Sequence, residues 1–168
     1  MKRIYNFNAG PAMLPLEVLQ EVQAELLDLQ GSGMSILEMS HRAPVYEKIN
    51  AEAETDIKEL LGLGDDYCVL FMGGGASLQF SMVPMNFLGA GQTAAYAVTS
   101  NFSDKAVKEA EKVGNVVVPF SSKAEKYDRV PQPGEIRLPE NCAYLHITAN
   151  NTIEGTEYSV YPETGEVP

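Results

Sequence analysis

The sequence predicts an α/β fold with a mostly parallel sheet. Along its 168 residues, amphipathic helical stretches alternate with short apolar runs, which is the pattern of parallel strands joined by helices. A Gly-rich turn at residues 73–77 connects one apolar run directly to a helix, as expected for a strand-to-helix connection. The length and the 45% hydrophobic content suit one ordinary globular domain.

The first half of the chain predicts two amphipathic helices separated by an extended loop. Pro15 suits the first turn of the first helix, and the Gly-Ser-Gly sequence at 31–33 is expected to end it. One face of this helix is apolar and is expected to face the core; it carries Val18, Leu19, Val22, Leu26 and Leu29. In chain order, the predicted elements are a helix from residue 15, a loop over 34–44 and a helix over 45–61, with Gly62 at its exit.

The second half predicts four short strands and two further helices. Pro84 is expected to kink the first of these helices, and Ser103 is expected to cap the second. Residues 121–140 are polar and Pro-rich and predict a surface excursion. In chain order, the elements are a buried strand over 67–72, a helix to about residue 88, a strand over 93–98, a helix ending before Gly114, and strands over 115–119 and 142–148.

Composition and charge weigh against several classes of function. The net charge of −11 disfavours nucleic acid and anionic membranes as partners. No apolar run approaches the roughly 20 residues of a membrane span, and the N-terminus lacks the apolar core of a signal peptide. Cys68 and Cys142 lie in apolar runs and predict buried thiols, with neither a disulfide nor a metal pair, so a cytoplasmic location is expected.

The Gly-rich turn at residues 73–77, here called the phosphate cup, predicts an anion site. Its glycines allow close approach of the backbone, and the first N–H groups of the following helix have no partner within that helix. Such a helix end attracts phosphate, and Ser77 adds a hydroxyl. The pattern is not a P-loop, because no Gly-Lys-Ser/Thr follows. It is not a dinucleotide fingerprint either, because Leu78 stands where the third glycine belongs. A merely tight connection is the alternative.

Three loops that follow predicted strands should meet at one edge of the sheet. In open parallel sheets, ligands bind beyond the carboxyl ends of the strands. The phosphate cup offers donors for an anion, the loop at 99–103 offers the flat face of Phe102, and the loop at 149–152 offers amide and hydroxyl groups. A phosphorylated aromatic cofactor would use all three loops.

Four motifs in the chain closely resemble those of the phosphoserine aminotransferases, in the same order. They are NAGPA at 8–12, EMSHR at 38–42, GGGASLQF at 73–80 and NNTIEGT at 150–156. The resemblance runs from Met1 to Pro168. It implies the three-layer large domain of the fold type I enzymes that use pyridoxal 5'-phosphate, incomplete in this chain. Residues 1–14 would form an N-terminal active-site segment, and residues 15–168 the first part of that large domain, with the remainder and the small C-terminal domain absent.

The resemblance also implies an activity and an assembly. The family converts 3-phosphohydroxypyruvate and glutamate into O-phosphoserine and 2-oxoglutarate in serine biosynthesis. Its members are homodimers with active sites at the subunit interface. Family chains are roughly twice as long as this one, so the missing C-terminal half would be required for activity and the 168 residues alone are expected to be inactive.

Roles for individual residues follow from the positions that match. Gly75, Ala76 and Ser77 correspond to the site of the cofactor phosphate, and Thr152 to a residue that hydrogen-bonds the cofactor. Phe102 stands where the family usually has a tryptophan stacked on the cofactor ring, which keeps a stacking surface but loses area and the indole N–H. A separate pair, His41 and Arg42, matches residues that reach the substrate phosphate from the partner subunit.

No catalytic residue is expected in this chain. The family's Schiff-base lysine and the acidic partner of the pyridinium nitrogen both lie beyond residue 168, and the lysines present sit on predicted helix faces or polar loops. No metal site is expected, because the two histidines are far apart and no Cys-x-x-Cys occurs. His146, inside a strand pattern, is expected to be buried and hydrogen-bonded.

Two other functions stay open at this stage. One is a different type I enzyme of the same cofactor, such as a small-substrate aminotransferase or a cysteine desulfurase. The His41 and Arg42 pair argues against it, because a phosphorylated substrate explains that pair best. The other is a non-catalytic phosphate-binding α/β module, which half a parallel sheet with an exposed apolar edge makes unfavourable.

Overall fold

The computed structural model describes residues 3–8 and 10–168, in two compact units, Met1–Phe71 and Met72–Pro168. The first unit contains two helices, α1 (Leu16–Glu25) and α2 (Pro44–Leu61). The loop between them, predicted to be extended, contains one turn of 3-10 helix at Ile36–Glu38. Ser35 and Glu38 cap this turn reciprocally. α2 ends where predicted, with Gly62 in the left-handed conformation (φ 65°) that favours glycine.

Two predictions for the first helix are wrong. α1 ends at Glu25, six residues before the glycines, because the chain turns through residues 28–34, where Gly33 N–H donates to Asp28 Oδ1 at 2.8 Å and Leu29 N–H donates to the Met34 carbonyl at 3.0 Å. Most of the predicted inward face is also exposed: Val22 retains 54% of its accessible surface, and of the five residues only Leu29, which lies beyond the end of α1, is buried. Helical spacing identifies an apolar face, but it does not supply the partner that would cover it.

The segment at residues 67–72 has the apolar composition of a buried strand, as predicted, but it does not form one. No strand is assigned there, and Tyr67, Leu70 and Phe71 are all exposed. A strand requires a neighbouring strand for its backbone hydrogen bonds, and the described residues provide none for this segment. Cys68 is therefore exposed, contrary to prediction, whereas Cys142 is half-buried in a strand.

The second unit confirms an α/β fold built on a parallel sheet. Its three-stranded sheet has β1 in the centre and pairs it in parallel with both neighbours, in the order β2-β1-β3. Two helices, α3 and α4, accompany the sheet, and a small antiparallel hairpin follows it. The elements are α3 (Gly75–Phe87), β1 (Thr93–Val98), α4 (Asn101–Ala110), β2 (Asn115–Ser121), β3 (Cys142–His146), β4 (Asn150–Asn151) and β5 (Thr156–Glu157).

The core of this unit forms around the central strand. Residues 94–98 are completely or almost completely buried, because β1 has a strand on each side and helix α4 packs against it. Ala106 and Ala110 of α4 are fully buried against this core. The hydroxyls of Tyr96 and Tyr144, from β1 and β3, lie 2.8 Å apart, and burial raises the pKa of Tyr96, so both rings remain neutral.

Two local features of the second unit, the cap of α4 and the end of β2, differ in detail from prediction. Ser100, rather than Ser103, caps α4: its hydroxyl accepts the Ser103 N–H at 3.1 Å, and the Ser103 hydroxyl accepts the Ser100 N–H at 2.9 Å. β2 continues past Pro119 to Ser121. An edge strand tolerates a proline where the pairing is irregular, and the register between β2 and β1 shifts at this point. Pro84 lies inside α3 and is buried.

None of the helices in residues 3–8 and 10–168 is long and apolar enough to cross a membrane.

His146 is half-buried against two aromatic rings and lacks the hydrogen bond that was predicted. Its ring stacks on Tyr96 with centroids 4.8 Å apart and meets Phe80 edge-on at 6.3 Å. The Nδ1 atom is buried and has no partner among the described residues. This desolvation lowers the pKa of His146 to about 4, so the imidazole is neutral at pH 7.

Burial of His146 predicts a loss of stability in mild acid. The unfolded chain titrates near pH 6.5 and the folded chain near 4, so the unfolded state binds more protons between these values. Stability therefore falls as pH is lowered through 6.5, and the loss, at most about 3 kcal/mol, is complete below about pH 4. His146→Gln should flatten the dependence of the unfolding midpoint on pH, and an unchanged dependence in this variant would contradict the explanation.

Candidate functional site

The phosphate cup is formed by the start of α3. Gly74 precedes the helix in a left-handed conformation (φ 85°), and no side chain caps the helix. The N–H groups of Gly75, Ala76 and Ser77 have no acceptor among the described residues, and the first to bond within the chain is that of Leu78, to the Gly74 carbonyl at 3.2 Å. The Ser77 side chain is exposed. Three free backbone donors and a hydroxyl therefore converge at the positive end of the helix dipole.

This end of α3 lies at the carboxyl edge of the parallel sheet. Phe80, in the second turn of α3, contacts His146, the last residue of β3. Gly75 is five residues before Phe80, or about 7.5 Å along the helix axis. The Ser81 hydroxyl donates to Glu109 Oε2 at 3.1 Å and joins α3 to α4. The cup thus opens at the edge where ligands bind in parallel sheets.

Phe102 lies in the first turn of α4, immediately after the carboxyl end of β1. Its ring is half-buried. The Lys105 ammonium, one turn further along α4, lies 5.4 Å from the ring centroid in a cation–π contact. An aromatic ring with a cation nearby is suited to stacking against a planar, anionic ligand.

Thr152 lies in the turn of the β4-β5 hairpin and is exposed. The prediction placed this residue in a plain loop at 149–152, whereas β4 already begins at Asn150. Asn151 anchors the hairpin: it is fully buried, accepts from the Thr99 hydroxyl at 3.3 Å and donates to the Thr156 hydroxyl at 3.0 Å. Since Thr99 immediately follows β1, the hairpin is fixed to the same edge as Phe102.

Glu154 makes a second link from the hairpin to this edge of the sheet, at the start of α4, and sequence reasoning missed it. Its Oε1 atom accepts from both the backbone N–H and the side-chain amide of Asn101, at 2.9 and 3.0 Å. Asn101 immediately precedes Phe102, and Glu154 is two residues beyond Thr152. Glutamate in a polar turn carries no sequence signal of such a contact, so only the folded geometry reveals it.

The residues at this edge fit a phosphorylated aromatic group. The cup supplies N–H and hydroxyl donors for a dianionic phosphate, Phe102 supplies a stacking surface, and Thr152 supplies an exposed hydroxyl. These five predicted cofactor residues, Gly75, Ala76, Ser77, Phe102 and Thr152, all belong to the second unit. The hydrogen bonds of Asn151 and Glu154 hold the segment that carries Thr152 next to the segment that carries Phe102. The cup lies at the same edge of the sheet.

His41 and Arg42 belong to the first unit, in the turn before α2, and both are exposed. The Arg42 backbone N–H donates to the Ser40 hydroxyl at 3.2 Å. The Arg42 guanidinium makes no hydrogen bond or ion pair with the described residues. The carboxylate of Glu38, four residues earlier, accepts the Ser35 N–H at 3.2 Å and does not pair with Arg42. The guanidinium is thus available for an external anion.

The lysines of the described residues are all on helices or in loops. Lys48 and Lys58 lie on α2, Lys105 and Lys108 on α4, and the others follow α4 or β2. Several form ion pairs, such as the 2.8 Å contact between Lys123 and Asp104, which lowers the pKa of that carboxyl. No described lysine lies at the end of a sheet strand.

Comparison with known proteins identifies the family. The aminotransferase class-V family matches residues 4–166. A phosphoserine aminotransferase of Niallia circulans is 54% identical over 167 residues, and one of Geobacillus kaustophilus is 51% identical over 164 residues; these matches cover 99% and 98% of this chain and 46% of each relative. The chain therefore spans about half the length of the curated relatives it matches.

Solved structures agree with the sequence comparison. Phosphoserine aminotransferase from Bacillus circulans subsp. alkalophilus superimposes with a TM-score of 0.90 at 54% identity, covering 99% of this chain and 46% of that one. The pyridoxal phosphate-bound enzyme from Trichomonas vaginalis superimposes with a TM-score of 0.86 at 36% identity, covering 99% of this chain and 47% of that one. The parallel sheet, the order of the motifs and the family match together place this chain in the aminotransferase class-V family.

Proposed function

We propose that this chain is the N-terminal part of a phosphoserine aminotransferase. The observation that carries the proposal is the 54% identity to a protein of that name across 99% of the chain. The whole protein would convert 3-phosphohydroxypyruvate and glutamate into O-phosphoserine and 2-oxoglutarate, in serine biosynthesis and in the cytoplasm. The phosphate cup and the edge that carries Phe102 and Thr152 support this activity.

Pyridoxal 5'-phosphate is the proposed cofactor, and it would supply an electron sink for the transfer of the amino group. Gly75, Ala76 and Ser77 would hold its phosphate through backbone N–H groups and one hydroxyl. Phe102 would stack on its ring, and Thr152 would donate a hydrogen bond to a ring substituent. These residues bind and orient. The lysine that performs the proton transfers would lie in the part of the relatives that this chain does not cover.

Arg42 and His41 would bind the phosphate of the substrate. A guanidinium binds phosphate through two parallel N–H donors, with more directional specificity than an ammonium. In keeping with the family resemblance, this pair would reach the active site of the partner subunit, so we propose a homodimer in which each chain completes the other's site. Discrimination between phosphoserine and serine would then rest on these two residues.

Ser77→Ala tests the proposed cofactor site in the full-length protein that contains this chain. Loss of one hydrogen bond to a charged phosphate should raise the dissociation constant for pyridoxal 5'-phosphate about 10- to 100-fold, measured by titration of the apo protein and visible absorbance. The matched control is Ser81→Ala, one turn along the same helix, whose hydroxyl bonds to Glu109. If both variants bound like the wild type, the assigned phosphate site would be incorrect.

The activity itself is tested by supplying 2-oxoglutarate with either phosphoserine or serine. We expect glutamate to form rapidly with phosphoserine and slowly with serine. Equal rates with both would indicate an aminotransferase for small unphosphorylated substrates, and elemental sulfur released from cysteine would indicate a desulfurase. Absence of any cofactor binding by the wild-type protein would exclude both classes of enzyme.

A further inference from the structure

We infer that Glu154 is a positioning residue that holds the cofactor-binding turn of the hairpin against the start of α4. This inference rests on the proposed function and deepens it. Glu154 accepts two hydrogen bonds at one oxygen, from the backbone and side chain of Asn101. It thereby joins the segment that carries Thr152 to the residue next to Phe102.

The contact is favourable because of where Asn101 lies in its helix. Asn101 is the first residue of α4, so its backbone N–H has no acceptor within the helix. A carboxylate at this end also interacts favourably with the helix dipole. Ser100 and Ser103 already bond each other's backbone, so Glu154 satisfies a donor that the capping box leaves free.

Glu154 complements the buried anchor of the hairpin. Asn151 fixes the base of the hairpin to Thr99, but Thr152 follows in an exposed turn closed by the hydrogen bond from Gly155 N–H to the Asn151 carbonyl at 2.8 Å. Glu154 is the residue of this turn that reaches across to α4. Without it, the base would stay attached while the turn could shift relative to Phe102.

The second carboxylate oxygen of Glu154 makes no hydrogen bond, so Asn101 is the side chain's one hydrogen-bonding partner among the described residues. Oε2 is buried and has no hydrogen-bond partner among the described residues. The hydrogen bonds of the carboxylate are therefore not shared among several elements, and its replacement removes hydrogen bonds to Asn101 alone. Glu154→Gln can retain an acceptor at Oε1 but loses the charge, whereas Glu154→Ala removes the link completely.

The consequence for the ligand is geometric. Stacking on Phe102 and a hydrogen bond from Thr152 must be made by one rigid group at the same time. A fixed separation between the two segments allows both contacts with little loss of conformational entropy on binding. A turn released by Glu154→Ala would make the hydrogen bond only at a cost in affinity.

The test uses the full-length protein and two readouts. Hydrogen exchange of the Asn101 amide, without cofactor, should become about 10-fold faster in Glu154→Ala and change little in Glu154→Gln. The dissociation constant for pyridoxal 5'-phosphate should rise about 10-fold in Glu154→Ala, with partial rescue by Gln. The control is Glu157→Ala, an exposed glutamate of the same hairpin, which should alter neither quantity.

A double mutant distinguishes positioning from general damage. If Glu154 acts through Thr152, adding Glu154→Ala to Thr152→Ala should weaken binding by less than about twofold further. Additive losses, or unchanged affinity in Glu154→Ala, would overturn the inference. Failure of the proposed function looks different: the wild type and Ser77→Ala would both fail to bind cofactor, while the exchange of the Asn101 amide would still report the link.

Discussion

Gly74→Ala is expected to cause one of the largest losses of stability and cofactor binding in this chain. Gly74 has φ +85°, a conformation that costs a residue with a side chain about 1–2 kcal/mol. An added Cβ would also lie 2.6 Å from Leu78 Cβ and 2.7 Å from Leu78 Cδ2. Leu78 Cβ is attached to the helix backbone and has no rotamer that moves it away, so the first turn of α3 must shift.

The expected cost of this change is about 2–4 kcal/mol in the free energy of unfolding, combining backbone strain with overpacking. Because the displaced turn carries the proposed phosphate donors, the affinity for pyridoxal 5'-phosphate should fall by at least as much as in Ser77→Ala. Urea denaturation of the apo protein and titration with the cofactor measure the two effects separately.

Gly73→Ala is the matched control, because it adds the same methyl group one residue earlier. Gly73 has no positive φ, and nothing lies within 4 Å of the Cβ that would be added. Its stability should be unchanged or raised by less than about 1 kcal/mol, since alanine restricts the unfolded chain. Equal destabilisation by the two substitutions would refute the explanation from strain at Gly74.

The sequence was sufficient to predict elements that are stabilised locally. α2 has a strong helical periodicity, a proline at its start and Gly62 at its end, and its boundaries were predicted to within one residue. β1 was predicted without error because a short apolar run between turn residues is hard to place elsewhere. The start of α3 was also predicted, since the helix begins at Gly75, within the Gly-rich turn.

Features that depend on distant partners were not predictable. The segment 67–72 has the composition of a buried strand, but the described residues contain no strand that pairs with it. The apolar face of α1 is exposed for a related reason. Asn151 and Glu154 were missed because a polar turn gives no indication of which of its side chains reaches another element, and the hairpin is only two residues deep on each side.

Arg42→Ala is expected to have the second large effect, because the proposed role of the Arg42 guanidinium is to pair with the doubly charged phosphate of the substrate. Removing a guanidinium that holds phosphate by two charge-assisted hydrogen bonds costs roughly 1.5–3 kcal/mol or more, which corresponds to a rise in KM of about 10- to 100-fold. Arg42→Ala should therefore raise KM for phosphoserine strongly and leave the glutamate half-reaction nearly unchanged.

Steady-state kinetics of each half-reaction in the full-length protein measures this separation. Arg137→Ala is the matched control, since Arg137 is also exposed and makes no ion pair in residues 3–8 and 10–168, so the change in net charge is the same. Arg42→Lys should recover only part of the loss, because an ammonium cannot form the paired contact. If Arg42→Ala impaired both half-reactions equally, Arg42 would act on the fold or the cofactor, and recognition of the substrate phosphate would have to be assigned to other residues.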